Sequence, residues 1–338
     1  MLKKISIKDI AQRLNISITT VSFVINGKAT EKSISKEVTK KVLDLVAEVG
    51  FRPNSFAKSL RTGKSNTIGF LVENISAPFF SGIASFLEEK ARSKGYKILF
   101  SSIGKDKDKF AELIDLFTQH KVDGYIMAVP DGMEEEIKKI IATEVPVVLF
   151  DRYIPEISAD YVLVDNFATT FTATKHLMEN GYRKCAFVTA KTQQQQMLDR
   201  LDGYRNAILN HGGEESILEI EYERPGSAVA EIRKFLKLGQ VDSVIFGANY
   251  ITMEGLRALR EADGGLSDDV AVISFDDFEL LELISPSVTA IEQPLEKIAH
   301  NIMKILLAKL DHRTELGTFS TLNVPCKLNF RKSSEPKT

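Results

Sequence analysis

The sequence predicts a small all-α helix-turn-helix head followed by a larger α/β body of two lobes, each built on a doubly wound parallel sheet. Three observations predict this fold class. Apolar residues recur at helical spacing through the first fifty residues, positive charge is concentrated in residues 1–65, and from Asn66 onward short apolar runs alternate with helical stretches. A chain of 338 residues also exceeds one compact core, so two or three folding units are expected.

The head begins with two predicted helices joined by a tight turn. Ser6 and Asp9 have the spacing of a capping box, so the first helix should begin directly after Ser6 and bury one apolar stripe. Ser17 follows the turn and can cap the second helix. A third helix is predicted over residues 35–49, with Gly50 as its left-handed stop. Three such stripes can close a small core.

The second helix presents short hydrogen-bonding side chains, one aromatic ring and no acid. The candidate DNA contacts here are Ser17, Thr19, Thr20, Ser22, Phe23 and Asn26. Hydroxyl and amide groups on a helix reach base edges in the major groove, and an apolar group can touch a thymine methyl. The pattern therefore predicts a DNA-reading helix. The alternative is an ordinary surface helical hairpin, since helix-turn-helix patterns also recur by chance.

The net charge of −2 hides a division between the two parts of the chain. Residues 1–65 hold 13 Lys+Arg against 5 Asp+Glu, whereas the remaining residues hold 31 against 41. Positive charge on a short segment is typical of phosphate binding. The alternative is a merely basic surface.

The body shows two consecutive series of strands and helices, which predict two lobes with parallel sheets covered on both faces. The first series has apolar runs at 67–72, 96–102, 125–129 and 145–150, with helices at 79–94, 107–120 and 134–143. The second has runs at 161–165, 184–189, 217–222, 242–247 and 270–275, with helices near 167–180, 199–211, 227–238 and 250–262. The last segments are a strand at 288–291, a helix at 295–310 and a strand at 322–328, which we expect to cross back and complete both lobes.

Ligands of such sheets bind outside the carboxyl ends of the strands. Residues at those ends, or at the helix starts that follow them, are Phe79, Phe80, Asp151, Arg152, Asn249 and Asp276, with Arg200 opening a helix after a glutamine run. An arginine, an amide and carboxylates beside aromatic rings suit a hydroxylated small molecule such as a sugar. The alternatives are that the aspartates are loop or helix-cap residues and that the phenylalanines pack at a helix start.

Two segments resemble the LacI/GalR family of bacterial repressors: IKDIAQRLNISITTVSFVIN at 7–26 and RPNSFAKSLRTGKSNTIGFLV at 52–72. The resemblance then covers the whole chain. It implies a periplasmic-binding-protein type I fold for the body and a homodimer on a palindromic operator. It also implies effector contacts at Arg200, Asn249 and Asp276, and crevice-edge positions for Phe79, Phe80 and Asp151.

The same resemblance places Thr19, Thr20 and Phe23 where the family reads bases. The family usually has a polar or basic side chain at Phe23, so the base read there should differ. The loop GKATEKSIS is about three residues longer than expected for the family. Tyr250 stands where an acid commonly follows Asn249, which leaves the identity of the effector open.

The segment SFAKSLRTG is too short to hold a helix in water by itself, because the nucleation cost is not recovered. By resemblance it is the hinge helix, in which Leu60 wedges into the minor groove while Ser55, Lys58 and Arg61 meet the DNA. The alternative for Leu60 is interdomain packing. The predicted division is a DNA-binding domain at 1–52, a hinge at 53–65, an effector-binding domain at 66–332 and a tail at 333–338.

Other function classes find little support in the sequence. The first twenty residues carry no apolar run typical of a signal peptide, and no stretch approaches a membrane span. Cys185 and Cys326 are expected to be reduced, and no catalytic motif, metal site or cofactor is predicted. We therefore expect a cytoplasmic, effector-controlled transcriptional regulator, acting as a repressor, that is not an enzyme. The alternative is a sugar-binding or sugar-modifying protein without a DNA role.

Overall fold

The structure is a computed structural model that describes residues 5–51, 63–260, 270–311 and 317–337. The chain separates into two compact units, Met1–Ser65 and Asn66–Thr338. The predicted hinge contacts lie outside the described residues: Ser55, Lys58, Leu60 and Arg61.

The first unit contains three short helices, as predicted. They are α1 (Ile7–Leu14), α2 (Ile18–Ile25) and α3 (Lys36–Glu48). The capping box is present, since the Ser6 amide donates to Asp9 Oδ2 over 2.8 Å and the Asp9 amide donates to Ser6 Oγ over 3.3 Å. Gly50 has the left-handed conformation predicted for a helix stop, with φ of 60°. The core of this unit is small and aliphatic, formed by Ile10, Ala11, Val21, Val24 and Val42.

The second unit contains two six-stranded sheets, each belonging to one lobe. The elements of the first series are β1 (Thr67–Val72), α4 (Pro78–Ser93), β2 (Lys97–Ser102), α5 (Lys107–Gln119), β3 (Gly124–Ala128), α6 (Glu134–Ile141), β4 (Val147–Phe150) and β5 (Asp160–Val164). Those of the second are α7 (Asn166–Glu179), β6 (Cys185–Ala190), α8 (Gln195–Asn210), β7 (Ile217–Ile220), α9 (Val229–Leu238), β8 (Ser243–Phe246), α10 (Asn249–Leu259) and β9 (Ala271–Phe275). The closing elements are α11 (Leu280–Leu283), β10 (Thr289–Glu292), α12 (Leu295–Leu310), β11 (Thr321–Val324), β12 (Lys327–Asn329) and a 3₁₀ turn (Lys332–Ser334).

The two sheets have equivalent strand orders. The order in the first lobe is β11-β5-β4-β3-β1-β2, and the order in the second is β12-β10-β9-β8-β6-β7. All pairings are parallel except that of β12 with β10, which is antiparallel. The chain passes between the lobes after β5, after β10 and after β11. The predicted two-lobed, doubly wound α/β fold is confirmed.

One strand was predicted wrongly. Residues 322–328 were expected to form a single strand, but they contribute β11 to the first sheet and β12 to the second. Pro325 lies between them and has no N–H to donate to a ladder, so the strand ends there. This segment is therefore the third passage between the lobes.

The helix carrying Arg200 begins earlier than predicted. It was expected from residue 199, but α8 starts at Gln195, so Arg200 lies in its second turn rather than at its opening. Glutamine is a good helix former, and the glutamine run therefore extends the helix toward its N-terminus.

Close packing fixes the helix that follows β8. A Cβ added at Gly255 of α10 would lie 2.0 Å from Cζ of Phe246 in β8, so only glycine allows this approach. Because α10 is held against its own sheet, its first residue, Asn249, is held at the carboxyl end of β8. Among the helices of the described residues, none is long and apolar enough to span a membrane.

Candidate functional site

On the exposed face of α2, some polar side chains already have hydrogen-bond partners and others do not. Ser17 Oγ accepts the amide of Thr20 over 3.0 Å and lies 2.8 Å from Thr20 Oγ1, so both hydroxyls already have a partner at the helix start. Asn26 Nδ2 donates to the Ser22 carbonyl over 2.7 Å and closes the other end of the helix. Thr19 is exposed, and its hydroxyl makes no hydrogen bond with any residue that the structure describes.

The apolar part of the same face includes one residue that sequence reasoning missed. Phe23 is half-buried, with Nζ of Lys32 at 5.6 Å from its ring centre. Ile18, the first residue of α2, is 47% exposed. The three-residue spacing between Ile18 and the buried Val21 would place both on one helix face, but the Ile18 side chain is exposed.

The positive charge of the head is unevenly placed. Residues 5–51 hold 7 Lys+Arg against 5 Asp+Glu, so most of the excess in residues 1–65 belongs to residues 1–4 and 52–65. The helices themselves thus supply shape and short polar groups, and the flanking segments supply most of the positive charge.

In the body, the carboxyl edge of the first sheet carries a charged cluster. Glu73 follows β1, and Asp151 and Arg152 follow β4. Nη2 of Arg152 donates to Glu73 Oε2, and Nε of Arg152 lies 3.5 Å from Asp151 Oδ2. Arg152 is only 8% exposed, and its Nε and Nη1 are buried without a hydrogen-bond acceptor.

Asp151 is held in a demanding position. Its φ of 67° is in the left-handed region, which few non-glycine residues adopt. Burial raises the pKa of its carboxyl group above the usual value, with Arg152 and Arg200 opposing the shift and Asp276 and Glu73 adding to it. Arg200 and Asp276, which contribute to this shift, belong to the second lobe.

The second sheet places Asp276 at the end of β9. Its Oδ2 accepts the Asn249 amide over 3.2 Å, and its Oδ1 accepts Nε2 of Gln293 over 2.6 Å. The helix-capping alternative is therefore correct for one carboxylate oxygen, because Asn249 is the first residue of α10. The side-chain amide of Asn249 makes no hydrogen bond with a described residue and is half-buried.

Arg200 reaches the crevice from α8 and is fixed by several contacts. Nε donates to Asn166 Oδ1 and Nη1 donates to the Gly247 carbonyl, both over 2.8 Å. Its guanidinium carbon lies 3.5 Å from the ring centre of Phe275. No acceptor among the described residues takes a hydrogen bond from Nη2, so an oriented donor remains on a side chain that is 4% exposed.

The aromatic residues divide between core and crevice. Phe80 is 7% exposed and its ring centre lies 6.1 Å from that of Phe150, so it packs in the core of the first lobe as the packing alternative proposed. Phe79 is half-buried beside it, with ring centres 5.2 Å apart. Tyr250 packs on Tyr222, and burial raises its pKa to about 12.

A cleft of about 330 Å³ opens between the lobes at Asp151, and the other candidate effector contacts do not line it. Its walls mix polar residues, which include Asp151, Asp165, Asn166, Gln195, Gln196 and Asp199, with the apolar Tyr153, Leu163, Val164 and Phe167. Gln196 is 5% exposed and its Oε1 has no donor; Gln293, 6% exposed, also has an unpaired Oε1. Among the described residues, no group of three or more His, Cys, Asp or Glu could hold a metal ion.

Sequence reasoning missed three polar residues of this region, Glu73, Gln196 and Gln293, and it had pointed to Arg152 only by its position at the end of β4. The rule that ligands bind at strand ends could also have pointed to Glu73, since it directly follows the buried strand β1. Nothing in the sequence marks the two glutamines, because their significance is an unpaired oxygen that only the tertiary structure reveals.

Comparisons with known proteins agree with this architecture. The ribose operon repressor of Haemophilus influenzae is 26% identical over 96% of this chain and 97% of its own length. A periplasmic binding protein/LacI transcriptional regulator from Alkaliphilus metalliredigens, solved with D-xylulofuranose, is 26% identical, has a TM-score of 0.70, and corresponds to 80% of this chain and 99% of its own. The lac repressor dimer, solved with operator and the anti-inducer ONPF, shares the fold over 98% of this chain and 100% of its own, with a TM-score of 0.85 at 19% identity.

Two family profiles match consecutive parts of the chain. The profile described as bacterial regulatory proteins, lacI family, matches residues 6–54. The profile described as periplasmic binding proteins and sugar binding domain of LacI family matches residues 65–329. Together with the three-helix head and the two-lobed body, these matches show that the chain belongs to the LacI family of bacterial regulatory proteins and is a DNA-binding transcriptional regulator.

Proposed function

We propose that this regulator is a repressor whose operator affinity is set by a small hydroxylated effector bound between the lobes of the body. The observation that carries the proposal is unused hydrogen-bonding capacity on buried side chains at the crevice. Oε1 of Gln196 and Oε1 of Gln293 are buried without a donor. Nη2 of Arg200 donates to no described residue. Buried polar groups normally have partners, so their absence here favours a ligand that supplies them.

The chemistry of the crevice favours a sugar. Donors on Arg200, acceptors on Asp151 and the amides, and the half-buried ring of Phe79 match a molecule with several hydroxyls and an apolar face. Two of the similar proteins support this class, one named a ribose operon repressor and the other solved with D-xylulofuranose. We assign effector contacts to Phe79, Asp151, Arg200, Asn249 and Asp276, and a supporting role in the core to Phe80.

On the DNA side, we assign base contacts to Thr19 and to the exposed apolar group of Ile18, with Phe23 beside them. Ser17, Thr20, Ser22 and Asn26 also belong to this face, where their first role is to hold the ends of α2. We keep the proposed division of a head at 1–52, a hinge at 53–65, a body at 66–332 and a tail at 333–338. Leu60 is assigned to the hinge wedge, flanked by Ser55, Lys58 and Arg61.

The proposed coupling uses the three passages between the lobes. An effector that contacts both carboxyl edges favours one arrangement of the lobes over another, and operator affinity changes by the difference in its binding to the two states. A homodimer reads a two-fold operator with two heads, so a change in the spacing of the hinges alters both half-sites together. In this role the protein acts in the cytoplasm and converts no substrate.

Selection of bound sequences from a random duplex pool tests the DNA function. The full chain should enrich a roughly palindromic site, and affinity for that site should fall steeply with salt as counterions are released. Leu60→Ala should weaken binding to the selected site much more than binding to random duplex. Equal weakening would contradict the wedge, and no measurable duplex binding at low salt would leave a sugar-binding protein without a DNA role.

The effector function is tested by thermal shift over a panel of sugars and nucleosides, followed by operator binding with each hit. A true effector raises the melting temperature, because it binds only the folded state, and changes operator affinity at the same concentration. Thr19→Ala serves as a matched control, since it should reduce operator affinity and leave the thermal shift unchanged.

A further inference from the structure

We propose that Arg331, near the C-terminal end of the body, is a positioning residue that acts through Asp277 to hold Asp276 in its effector-binding orientation. The inference rests on the proposed effector function, because it explains how one of the assigned contacts keeps its place. Neither the strand-end rule nor the resemblance assigned a role to Arg331.

The first argument is the way in which Arg331 holds Asp277. Nη1 of Arg331 donates to Asp277 Oδ1 over 3.0 Å, and Nη2 donates to Asp277 Oδ2 over 2.8 Å. Both side chains are only 12% exposed. Nη1 also donates to the Val288 carbonyl over 2.8 Å, and Nη2 to Glu282 Oε1 over 2.7 Å. Two parallel hydrogen bonds between a guanidinium and a carboxylate fix direction as well as distance, so Asp277 is held in one orientation.

The second argument is the backbone of Asp276, which directly precedes Asp277. Its φ of 74° is unfavourable for a non-glycine residue and persists only where neighbouring groups fix it. Ser274 Oγ donates to the Asp276 carbonyl over 2.9 Å on one side, and Arg331 holds the next residue on the other. With the backbone restrained at both sides, the Asp276 carboxylate is directed toward the Asn249 amide.

The third argument is the place of Arg331 in the chain. It lies two residues after β12, the strand that follows the third passage between the lobes. Asn329, the last residue of β12, donates from Nδ2 to Asp277 Oδ2 over 2.7 Å and to Glu292 Oε2 over 2.8 Å. One short segment therefore carries both the third passage and the donors that hold Asp277. A shift of that passage reaches the loop with Asp276 through these hydrogen bonds.

Amide hydrogen exchange at single-residue resolution, on the full-length protein without effector, tests the positioning role. Arg331→Gln removes the paired hydrogen bonds and should speed exchange of the Asn249 amide, which donates to Asp276, about tenfold. The Gly247 amide donates to the Val188 carbonyl of the neighbouring strand over 2.9 Å and should change less than about twofold. Arg331→Lys keeps one charged donor and should give an intermediate rate at Asn249.

Two results of the exchange experiment overturn the inference. Equal acceleration at Asn249 and Gly247 would mean that Arg331 only supports the fold of the second lobe, and no acceleration at Asn249 would mean that it does not act on Asp276. If Arg331→Gln does not fold, the same two amides decide the question in Arg331→Lys.

Calorimetric titration with D-ribose extends the test to binding. Arg331→Gln should bind D-ribose about tenfold more weakly than the wild type, with unchanged operator affinity in the absence of sugar. Arg233→Gln is the control in the same lobe, since its guanidinium donates to the Arg257 and Ala258 carbonyls, and it should keep the wild-type affinity for D-ribose. An equal loss in both variants, or no loss in Arg331→Gln, contradicts the positioning role. Failure of the wild type to bind D-ribose counts against the proposed sugar class alone, and amide exchange then decides the role of Arg331.

Discussion

Asp151 and Asp276 occupy equivalent places in the two lobes and have different environments. Each follows the third strand in the order of its sheet, β4 in the first lobe and β9 in the second. Each has a left-handed backbone, with φ of 67° and 74°. Asp276 accepts hydrogen bonds from Asn249 and Gln293, whereas Asp151 is buried beside an arginine that forms no hydrogen bond with it.

The comparison shows that the same left-handed backbone conformation can hold a carboxylate in two different environments. A positive φ is unfavourable for a non-glycine residue and persists only where the surrounding structure fixes the turn. In the second lobe the Asp276 carboxylate accepts hydrogen bonds from the protein's own donors and holds Asn249 and Gln293 in place. In the first lobe the Asp151 carboxylate is buried and accepts no hydrogen bond from Arg152. Hydrogen bonds donated by a ligand should therefore stabilise it more than they would stabilise Asp276.

The largest effect is expected at Asp276, whose carboxylate accepts two hydrogen bonds. Asp276→Ala leaves the Asn249 amide and the Gln293 side chain without their acceptor, which should cost about 1 to 3 kcal/mol of stability and weaken effector binding at least tenfold. Titration calorimetry with the effector, and operator binding in its absence, measure the two consequences.

Operator affinity without effector should stay at the wild-type value, because the head is a separate compact unit. Asp276→Asn keeps one acceptor and should give an intermediate loss. An unchanged effector response in Asp276→Ala would remove the residue from the site.

At the equivalent position the expected sign of the stability change is opposite. Burial raises the pKa of Asp151 in the folded state, so the folded form prefers the protonated acid, and its contribution to stability falls as pH rises from the unfolded value through the raised one. Asp151→Asn removes that penalty and should raise the melting temperature at pH 8 by about 2 to 4 °C per kcal/mol recovered. Effector binding should nevertheless weaken.

Thermal melts from pH 4 to pH 8 separate the two aspartates. The wild type should lose stability relative to Asp151→Asn as pH increases. A variant less stable than the wild type at pH 8 would mean that the ion pair with Arg152 outweighs the cost of burial.

Much of this comparison follows from the sequence and part of it does not. Alternating strands and helices predicted both sheets, and the strand-end rule located Asp151, Asp276 and Asn249. The start of the helix carrying Arg200 was misplaced because the sequence has no capping residue that marks the boundary between the glutamine run and the helix. The resemblance places Phe80 at the crevice edge, whereas the structure places it in the core of the first lobe; an apolar residue at a helix start has the same sequence pattern in both settings.

The unpaired oxygens of Gln196 and Gln293 were beyond prediction for a different reason. Their role depends on which neighbours fail to supply a donor, which is a property of the assembled crevice and not of any local pattern. The same holds for Arg152, whose two free nitrogens become meaningful only after Glu73 has taken the third.

A smaller effect is expected from the tail, which packs on the second lobe. Nε2 of His176 lies 3.0 Å from Ser334 Oγ and 3.1 Å from Nδ2 of Asn180, and its ring centre is 4.3 Å from that of Phe330. Burial lowers the pKa of this histidine, against the opposing influences of the Ser334 carbonyl and Glu179. The folded state therefore favours neutral imidazole.

Stability from this contact should be present above the unfolded pKa of about 6.5 and be lost as pH falls through the lowered folded value. His176→Gln should flatten the decline below pH 6.5, by about 1 kcal/mol or less. Hydrogen exchange of the second lobe at pH 5.5 and 7.5 tests this, and identical pH profiles for wild type and variant would show that the histidine plays no part.

The smallest effect concerns the two thiols, which report on the lobes separately. Cys185 begins β6 in the core of the second lobe, and burial raises its pKa to about 12. Cys326 lies in the third passage between the lobes, where burial raises its pKa to about 11. The thiolate is the reactive form, so both should react slowly with a disulfide reagent at pH 8. Cys326 should react first, because it is only half-buried.

If effector binding restrains the passages, it should slow the reaction of Cys326 and leave Cys185 unreactive until the lobe unfolds. Faster labelling of Cys185 than of Cys326 would mean that the second lobe opens more readily than the passage beside it. That result would contradict the proposal that the lobes move as units about the three passages.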